Sequence, residues 1–156
     1  MDLSEQLEAL RSRIGALEDR EQIRNAIAAY GPWVDCGDSA AAAGLWAADG
    51  RYDVGGMGVS TGREAIQALF DGEVHQGLIA GGAAHVLSPV RLEIDGDHAT
   101  AIGYSCVFVW REGRFTAERI AANRWALRRE GERWLVTHRT NRLLNGTAEG
   151  RQVLAL

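Results

Sequence analysis

The sequence predicts an α+β domain in which N-terminal helices pack on a strongly curved antiparallel sheet. Three observations carry this. Apolar residues recur at helical spacing through residues 3–31; from residue 84 onward they alternate with polar ones; and that second half is cut by turns at Asp95-Gly96-Asp97, Glu112-Gly113 and Glu130-Gly131-Glu132. A curved sheet with helices laid against it forms a cone open at one end, and such a cone encloses an apolar pocket needing few polar groups.

Length and composition set the outer bounds. At 156 residues the chain is one domain, 1–156, with a helical extension at 1–18 and a tail at 146–156, and it is long enough to bury a real core. It is 46% hydrophobic and 24% charged, ordinary for a globular protein. The net charge of −4 comes with no basic block, which argues against a nucleic-acid partner. No apolar run approaches the ~18 residues of a membrane span. The acidic, amphipathic N-terminus is unlike a signal peptide. Cys36 and Cys106 are too few and too isolated for a disulfide framework or a zinc site. These features fit a cytoplasmic protein with no membrane partner.

Leu3, Leu7, Leu10, Ile14 and Leu17 are spaced four, three, four, three, which predicts an amphipathic helix over 3–18 with a short coiled-coil-like stripe. Its apolar face is expected to pack on the domain or on a twin subunit. A second helix is predicted over 20–31, with Ile23, Ala26, Ile27 and Tyr30 on one face. Pro32 lacks an N–H and crowds the carbonyl of Ala28, so this helix should kink or loosen there before the Gly37-Asp38 turn. A third helix is expected over 39–47, with Ser39 as N-cap and Leu45 and Trp46 facing inward.

Arg51 to Ser60 read as a hairpin broken by Gly55, Gly56 and Gly58. Those glycines match neither the dinucleotide fingerprint nor the phosphate-binding loop, so no nucleotide site is expected. Thr61-Gly62-Arg63-Glu64 reads as a capping box for a helix over 62–71 that buries Ile66, Leu69 and Phe70. Residues 71–82, interrupted by Gly72, Gly77, Gly81 and Gly82, read as a mobile loop, either a lid or a plain connection.

The segment Ala83–Ile94 reads as a strand, with Val90, Leu92 and Ile94 alternating with Arg91, Glu93 and Asp95. His85 sits at its apolar entry between Ala84 and Val86, where an imidazole faces an enclosure rather than bulk water. Strands follow at 98–111, 114–128 and 133–144 as a long antiparallel meander, with a frayed tail from Gly146 in which Val153, Leu154 and Leu156 could dock.

This order of elements resembles the SnoaL-like branch of the nuclear-transport-factor-2-like (ketosteroid isomerase-like) superfamily. The resemblance spans almost the whole chain. It rests on Leu17-Glu18-Asp19-Arg20-Glu21-Gln22-Ile23, Tyr30 with Val34-Asp35, Gly50-Arg51-Tyr52-Asp53, His85 with Arg91-Leu92-Glu93-Ile94, and Glu132-Arg133-Trp134. It implies the cone-shaped fold of that superfamily, which hosts enzymes, binding modules and structural subunits alike. In layout the chain is similar to the bile-acid 7α-dehydratase, hexachlorocyclohexane dehydrochlorinase and scytalone dehydratase families, which eliminate a group from an apolar substrate without a cofactor. In the first two, an aspartate near the end of the long helix and a histidine at a strand start form a dyad; Asp35 and His85 stand at those positions, and Tyr30 matches a tyrosine five residues before the aspartate. Val54 stands where a second pocket tyrosine would be, with Tyr52 two residues away. A further carboxylate of the bile-acid family falls among Cys106, Val107 and Val109, and Ser105 replaces the second histidine of scytalone dehydratase.

The resemblance therefore implies a lyase or isomerase with Tyr30, Asp35 and His85 as catalytic residues and no cofactor or metal. A His–Asp pair is a sound general base, because the carboxylate orients the ring and stabilises the imidazolium. Tyr30 would donate to a leaving hydroxyl or a developing enolate. Tyr52, Val54, Ser105 and Asn141 are the expected substrate contacts. Alternation leaves open whether His138 or Arg139 and Asn141 line the pocket, because Val136 and Leu143 fall on opposite faces. Tyr30 and Asp35 are about 140° apart on an ideal helix, so the kink expected at Pro32 is what would bring both to the pocket. His75 and His98 are expected in solvent. The substrate would be a small apolar molecule of steroid, terpenoid or polyketide type. A homodimer or homotrimer is expected, with Phe108, Trp110 and Trp125 covering an apolar outer face of the sheet. The rival reading is a non-catalytic small-ligand-binding or oligomer-partner protein.

Overall fold

In the computed structural model, which describes residues 2–155, one helix, α1 (Leu3–Cys36), stands where the sequence pattern suggests two. Asp2 caps it, accepting from the Glu5 N–H while the Glu5 carboxylate accepts from the Asp2 N–H. Nothing between Leu17 and Glu21 is a helix breaker; the apolar stripe simply changes face. Leu3, Leu7, Leu10, Ile14 and Leu17 all stay exposed, whereas Ile23, Ile27, Tyr30 and Val34 are buried. The first half of α1 thus does not pack on its own domain. The helix also continues through Pro32 and stops only at Gly37, whose φ of 80° suits a residue without Cβ.

A short helix α2 (Ser39–Ala43) follows, capped by the Asp38 side chain rather than by Ser39. It ends early because Trp46 opens a strand, β1 (Trp46–Val54); Leu45, in the turn before it, and Trp46 are buried as expected but not in a helix. β1 turns back into β2 (Gly58–Thr61). Helix α3 (Arg63–Asp71) starts without a side-chain cap. Gly62, at φ 86°, swings Thr61 into the β2 ladder opposite Arg51, so its hydroxyl cannot serve the helix. The glycine-punctuated segment expected to be a loop contains a helix, α4 (Glu73–Ala80), with Gly77 inside it.

The strand read as continuous is two: β3 (Ala83–Leu87) and β4 (Arg91–Asp95). Both pair with β5 (His98–Arg111). Pro89 lacks the N–H a ladder needs, and Ser88 fills the break, its Oγ accepting from the Tyr104 N–H. β6 (Arg114–Glu130) and β7 (Arg133–Leu143) complete the expected antiparallel meander. The described residues form one seven-stranded sheet in the order β2-β1-β7-β6-β5-β3, with β4 also on β5. It is mixed rather than purely antiparallel, because β1 runs parallel to β7. The tail is not frayed: α5 (Ala148–Leu154) lies on the sheet, and the Leu143 carbonyl comes so close to Gly150 that a Cβ there would be 2.5 Å away. Leu156 lies outside the described residues.

The second half of α1 fills the hollow of the sheet against Trp46, Trp125, Trp134, Leu127 and Val136. Trp125, expected on the outer face, belongs to this core at 1% exposure, while Trp110 is half exposed and meets Phe115 edge-on. Trp134 ties β7 to α1. Its indole N–H donates to Asp19 Oδ1 at 3.0 Å, and the Arg129 guanidinium, paired with Asp19 at 2.6 Å, lies over its ring.

Because this one side chain is both core and clasp, Trp134→Ala should cost about 3–5 kcal/mol of stability. Urea unfolding of the variant should show a lowered midpoint, and activity should be lost only in proportion to the unfolded fraction.

Candidate active site

Between the sheet and helices α3 and α4 lies a cavity of about 200 Å³. Its walls are mostly apolar: Val54, Met57, Leu69, Phe70, Val74 and Leu78 among others. Val74 and Leu78, one turn apart on α4, close one side. Into it point polar groups from α1, β1, β3, β5, β6 and β7.

The Asp35–His85 pair is formed. Asp35 Oδ1 lies 2.6 Å from His85 Nδ1, and Asp35 Oδ2 accepts from the His85 backbone N–H at 2.7 Å. One carboxylate thus holds both the ring and the backbone of the same residue. An ionised carboxylate only accepts, so Nδ1 carries a hydrogen, and in the neutral imidazole Nε2 is then the atom with the lone pair. His85 lines the cavity and its side chain is 13% exposed.

What allows this contact is Gly31. A Cβ at that position would lie 2.1 Å from the His85 carbonyl oxygen, so only glycine lets α1 approach β3 so closely. With the backbones that near, β3 presents His85 to two sides of the helix. Tyr30 meets the imidazole edge-on, with centroids 6.3 Å apart and planes at 89°, while Asp35 holds Nδ1. The 140° between Tyr30 and Asp35 needs no break in the helix at Pro32, because the histidine lies between them.

Tyr30 and Tyr52 share a hydrogen bond between hydroxyls at 3.3 Å. Burial, with Tyr52 beside it, holds the Tyr30 phenol well above its ordinary value, so it stays protonated and can donate. Val54 and Ser105 line the cavity, as expected. On β7 the inward residues are Arg139 and Asn141, not His138. Alternation could not tell this because the β6–β7 register shifts between Ala126 and Leu127: Ala126 faces His138 but Leu127 faces Val136, which leaves Thr137 as an extra residue. The bulge inverts the inward parity, so Val136 and Arg139 both face in.

The sequence reading did not place every polar residue of the pocket wall. Arg119 was not among its candidates, and Arg139 was one side of an open alternative. His75, expected in solvent, sits on α4 in the cavity wall, its ring 5.6 Å from that of His85. Its Nδ1 faces the Phe70 carbonyl at 2.9 Å, so Nδ1 carries the hydrogen, and Nε2 is buried without a partner. Val74 and Leu78 are the apolar signal for this helix, too short to establish a period. Among the described residues no cluster of three His, Cys, Asp or Glu side chains could hold a metal ion. Cys36 and Cys106 are free thiols. No helix of the described residues is long and apolar enough to cross a membrane.

Comparison with known proteins gives the same picture. The profile of the SnoaL-like domain matches residues 15–140. The structure of an NTF2-like protein with a cystatin-like fold from Novosphingobium aromaticivorans is 44% identical, with a TM-score of 0.94 over 99% of this chain and 98% of that one. Hexachlorocyclohexane dehydrochlorinase LinA-type3 from Novosphingobium barchaimii shares the fold at 19% identity, with a TM-score of 0.73 over 85% of this chain and 90% of that one. Aln2 from Streptomyces shares it at 20% identity, with a TM-score of 0.72 over 81% and 91% of the two chains. No curated protein matches the sequence significantly.

Burial lowers the proton affinity of His75 below its ordinary value, with the neighbouring His85 adding to the effect. The folded chain therefore keeps His75 neutral. As pH falls through the ordinary value of about 6.5, the unfolded chain takes the proton first, and stability is lost. His75→Gln should flatten this loss: melting temperatures of parent and variant should converge on going from pH 7.5 to pH 5.

Proposed function

The chain belongs to the SnoaL-like domain family, and from that premise we propose that it is a cofactor-independent lyase of the dehydratase type, or an isomerase. Its substrate would be a small, largely apolar molecule of steroid, terpenoid or polyketide type. The observation that carries this reading is the Asp35–His85 pair at 2.6 Å, with the free Nε2 lone pair on the side of an apolar cavity. The family includes dehydratases and isomerases, and one of the similar structures is by its name a dehydrochlorinase. A cone filled by side chains, or a histidine turned away from it, would have favoured the non-catalytic binding or oligomer-partner reading.

In the proposed reaction His85 Nε2 takes a proton from carbon next to a carbonyl, and Asp35 stabilises the imidazolium that results. General-base assistance of this kind is typically worth about 10²–10⁴-fold in rate. The Tyr30–Tyr52 pair has one hydroxyl hydrogen left over after its internal bond, and this donates to the carbonyl oxygen as it becomes an enolate. In an elimination the electron pair of the enolate expels a hydroxyl at the next carbon. The imidazolium returns its proton to that oxygen, and water leaves. In an isomerisation the same proton returns to a different carbon. Either way the residue set ends as it began.

The proposal includes a homodimer or homotrimer. The exposed stripe from Leu3 to Leu17 has coiled-coil spacing and no cover from its own domain, and Tyr104, Trp110, Phe115 and Ile120 are exposed on β5 and β6. Light scattering at micromolar concentration should give at least twice the chain mass; a monomer mass would overturn the assembly.

The catalytic reading is tested by incubating the protein in D₂O with ketones and β-hydroxyketones on steroid, terpenoid and polyketide skeletons, and following deuterium uptake or water loss by mass spectrometry. His85→Ala should abolish the activity found while the protein still folds, at a cost of about 1–3 kcal/mol for the lost hydrogen bond to Asp35. Asp35→Asn should lower the rate in the same direction and also cost about 1–3 kcal/mol of stability, since it spoils the hydrogen bond to the buried backbone N–H of His85 or to its ring. Activity that survives in folded His85→Ala would sink the general-base role.

A further inference from the structure

The cavity is chemically lopsided. On one side, where β3 meets α4, the Nε2 atoms of His85 and His75 carry lone pairs in the neutral imidazoles. On the opposite side, formed by β5, β6 and β7, the polar groups left over are mostly donors, Glu118 at the rim apart. Asn123 Oδ1 accepts from Arg139 Nε and Nη2 and from Asn141 Nδ2. Asn141 Oδ1 accepts from Arg119 Nη2 at 2.8 Å, which also donates to the Gly55 carbonyl. Ser105 Oγ accepts from Asn123 Nδ2 at 2.8 Å and from Asn141 Nδ2 at 3.4 Å. Both amide oxygens of the network thus accept from a guanidinium.

What remains unspent is the Ser105 hydroxyl hydrogen, the Arg139 Nη1 group and the charge of two guanidiniums. Arg139 is 1% exposed, caged by the rings of Tyr30, Tyr52 and Trp125 at 4.0–4.7 Å, and its buried Nη1 has no partner. Among the described residues neither Arg119 nor Arg139 forms an ion pair with a carboxylate. Glu118, at the rim, is engaged by Arg111, and Asp35 is engaged by His85. Of the charged Arg and Glu side chains that line the cavity, Glu118 at the rim thus stands against the two guanidiniums of Arg119 and Arg139. Burial without a counter-charge lowers the proton affinity of the Arg119 guanidinium. Leaving cations desolvated and unpaired in an apolar hollow is costly, and an anion in the cavity would offset it.

We propose that the ligand of this pocket carries a carboxylate on an apolar body, with the carboxylate on the Arg119–Ser105–Arg139 side and the body against Phe70, Val74 and Leu78. Guanidinium is the side chain best suited to a carboxylate, because its planar fork matches the two oxygens. The ligand then lies across the cavity between the donors of the sheet and the lone pairs of the two histidines. This takes from the proposed function only that the cavity is the ligand site; it does not require His85 to act as a base.

The test is calorimetric titration at pH 7.5 with benzoate, 2-naphthoate and their primary amides, which keep the shape and lose the charge. The acids should bind at least about tenfold tighter than the amides. Arg119→Gln should remove most of that preference, and Arg139→Gln should as well, if circular dichroism shows it folded. If it does not fold, Arg119→Gln and Ser105→Ala carry the test, since neither lies in the aromatic core. His85→Ala should keep the preference, so a failure of anion selectivity is read separately from a failure of the base. Amides that bind as tightly as acids, acids that fail to bind below millimolar concentration, or a preference unchanged in Arg119→Gln would each overturn the proposal.

Discussion

The site depends on how closely α1 approaches β3. Helix and strand touch at Gly31, where the His85 carbonyl occupies the space a side chain would fill. That proximity lets the Asp35 carboxylate reach over the strand and take both the backbone N–H and the ring nitrogen of His85. One oxygen holds the backbone of the strand and the other the ring. The hydrogen bond that orients the imidazole is therefore inseparable from the one that docks the strand, and the tautomer of His85 follows from the packing of two backbones. Tyr30, one residue before the glycine, is set against the same ring by the same contact.

Across the cavity a second constraint operates. Arg139 sits among Tyr30, Tyr52 and Trp125, the residues that hold α1 in the sheet, so the aromatic core and the polar floor of the site share atoms. The guanidinium is held from one side by ring faces and from another by the Asn123 carbonyl. Cation–π contacts stabilise a buried charge only in part. The network on β6 and β7 spends its acceptors on guanidinium donors, and this is why the floor offers hydrogen and positive charge while the side of His85 and His75 offers lone pairs. A polarised pocket of this kind suits a reaction that moves a proton to one side and negative charge to the other.

Membership of the SnoaL-like family explains the scaffold and leaves the chemistry to particular side chains. Among the described residues, no carboxylate of β5 lines the cavity. Ser105 and Val107 face inward there, next to Arg119 on β6.

Much of the fold was legible in the chain. The turns at Gly96, Gly113 and Gly131 bounded β5, β6 and β7 almost to the residue, because each of these glycines takes the positive φ with which the chain reverses between strands. His85, Asp35 and Tyr30 were legible as candidates through the family resemblance, and their mutual contact is present. The hidden features all depend on partners far away in sequence. The single 34-residue helix hides a change of face that reads as a boundary, and α4 is too short to show a period. The parallel pairing of β1 with β7 joins residues more than eighty positions apart. The Thr137 bulge reverses the parity of β7, so only the register against β6 reveals that Arg139 and Asn141 face the cavity. Periodicity is set by neighbours within a turn or a strand, and a sequence carries it openly. Which charges remain unpaired in a cavity depends on every group that the fold brings to it, so only the tertiary structure decided that.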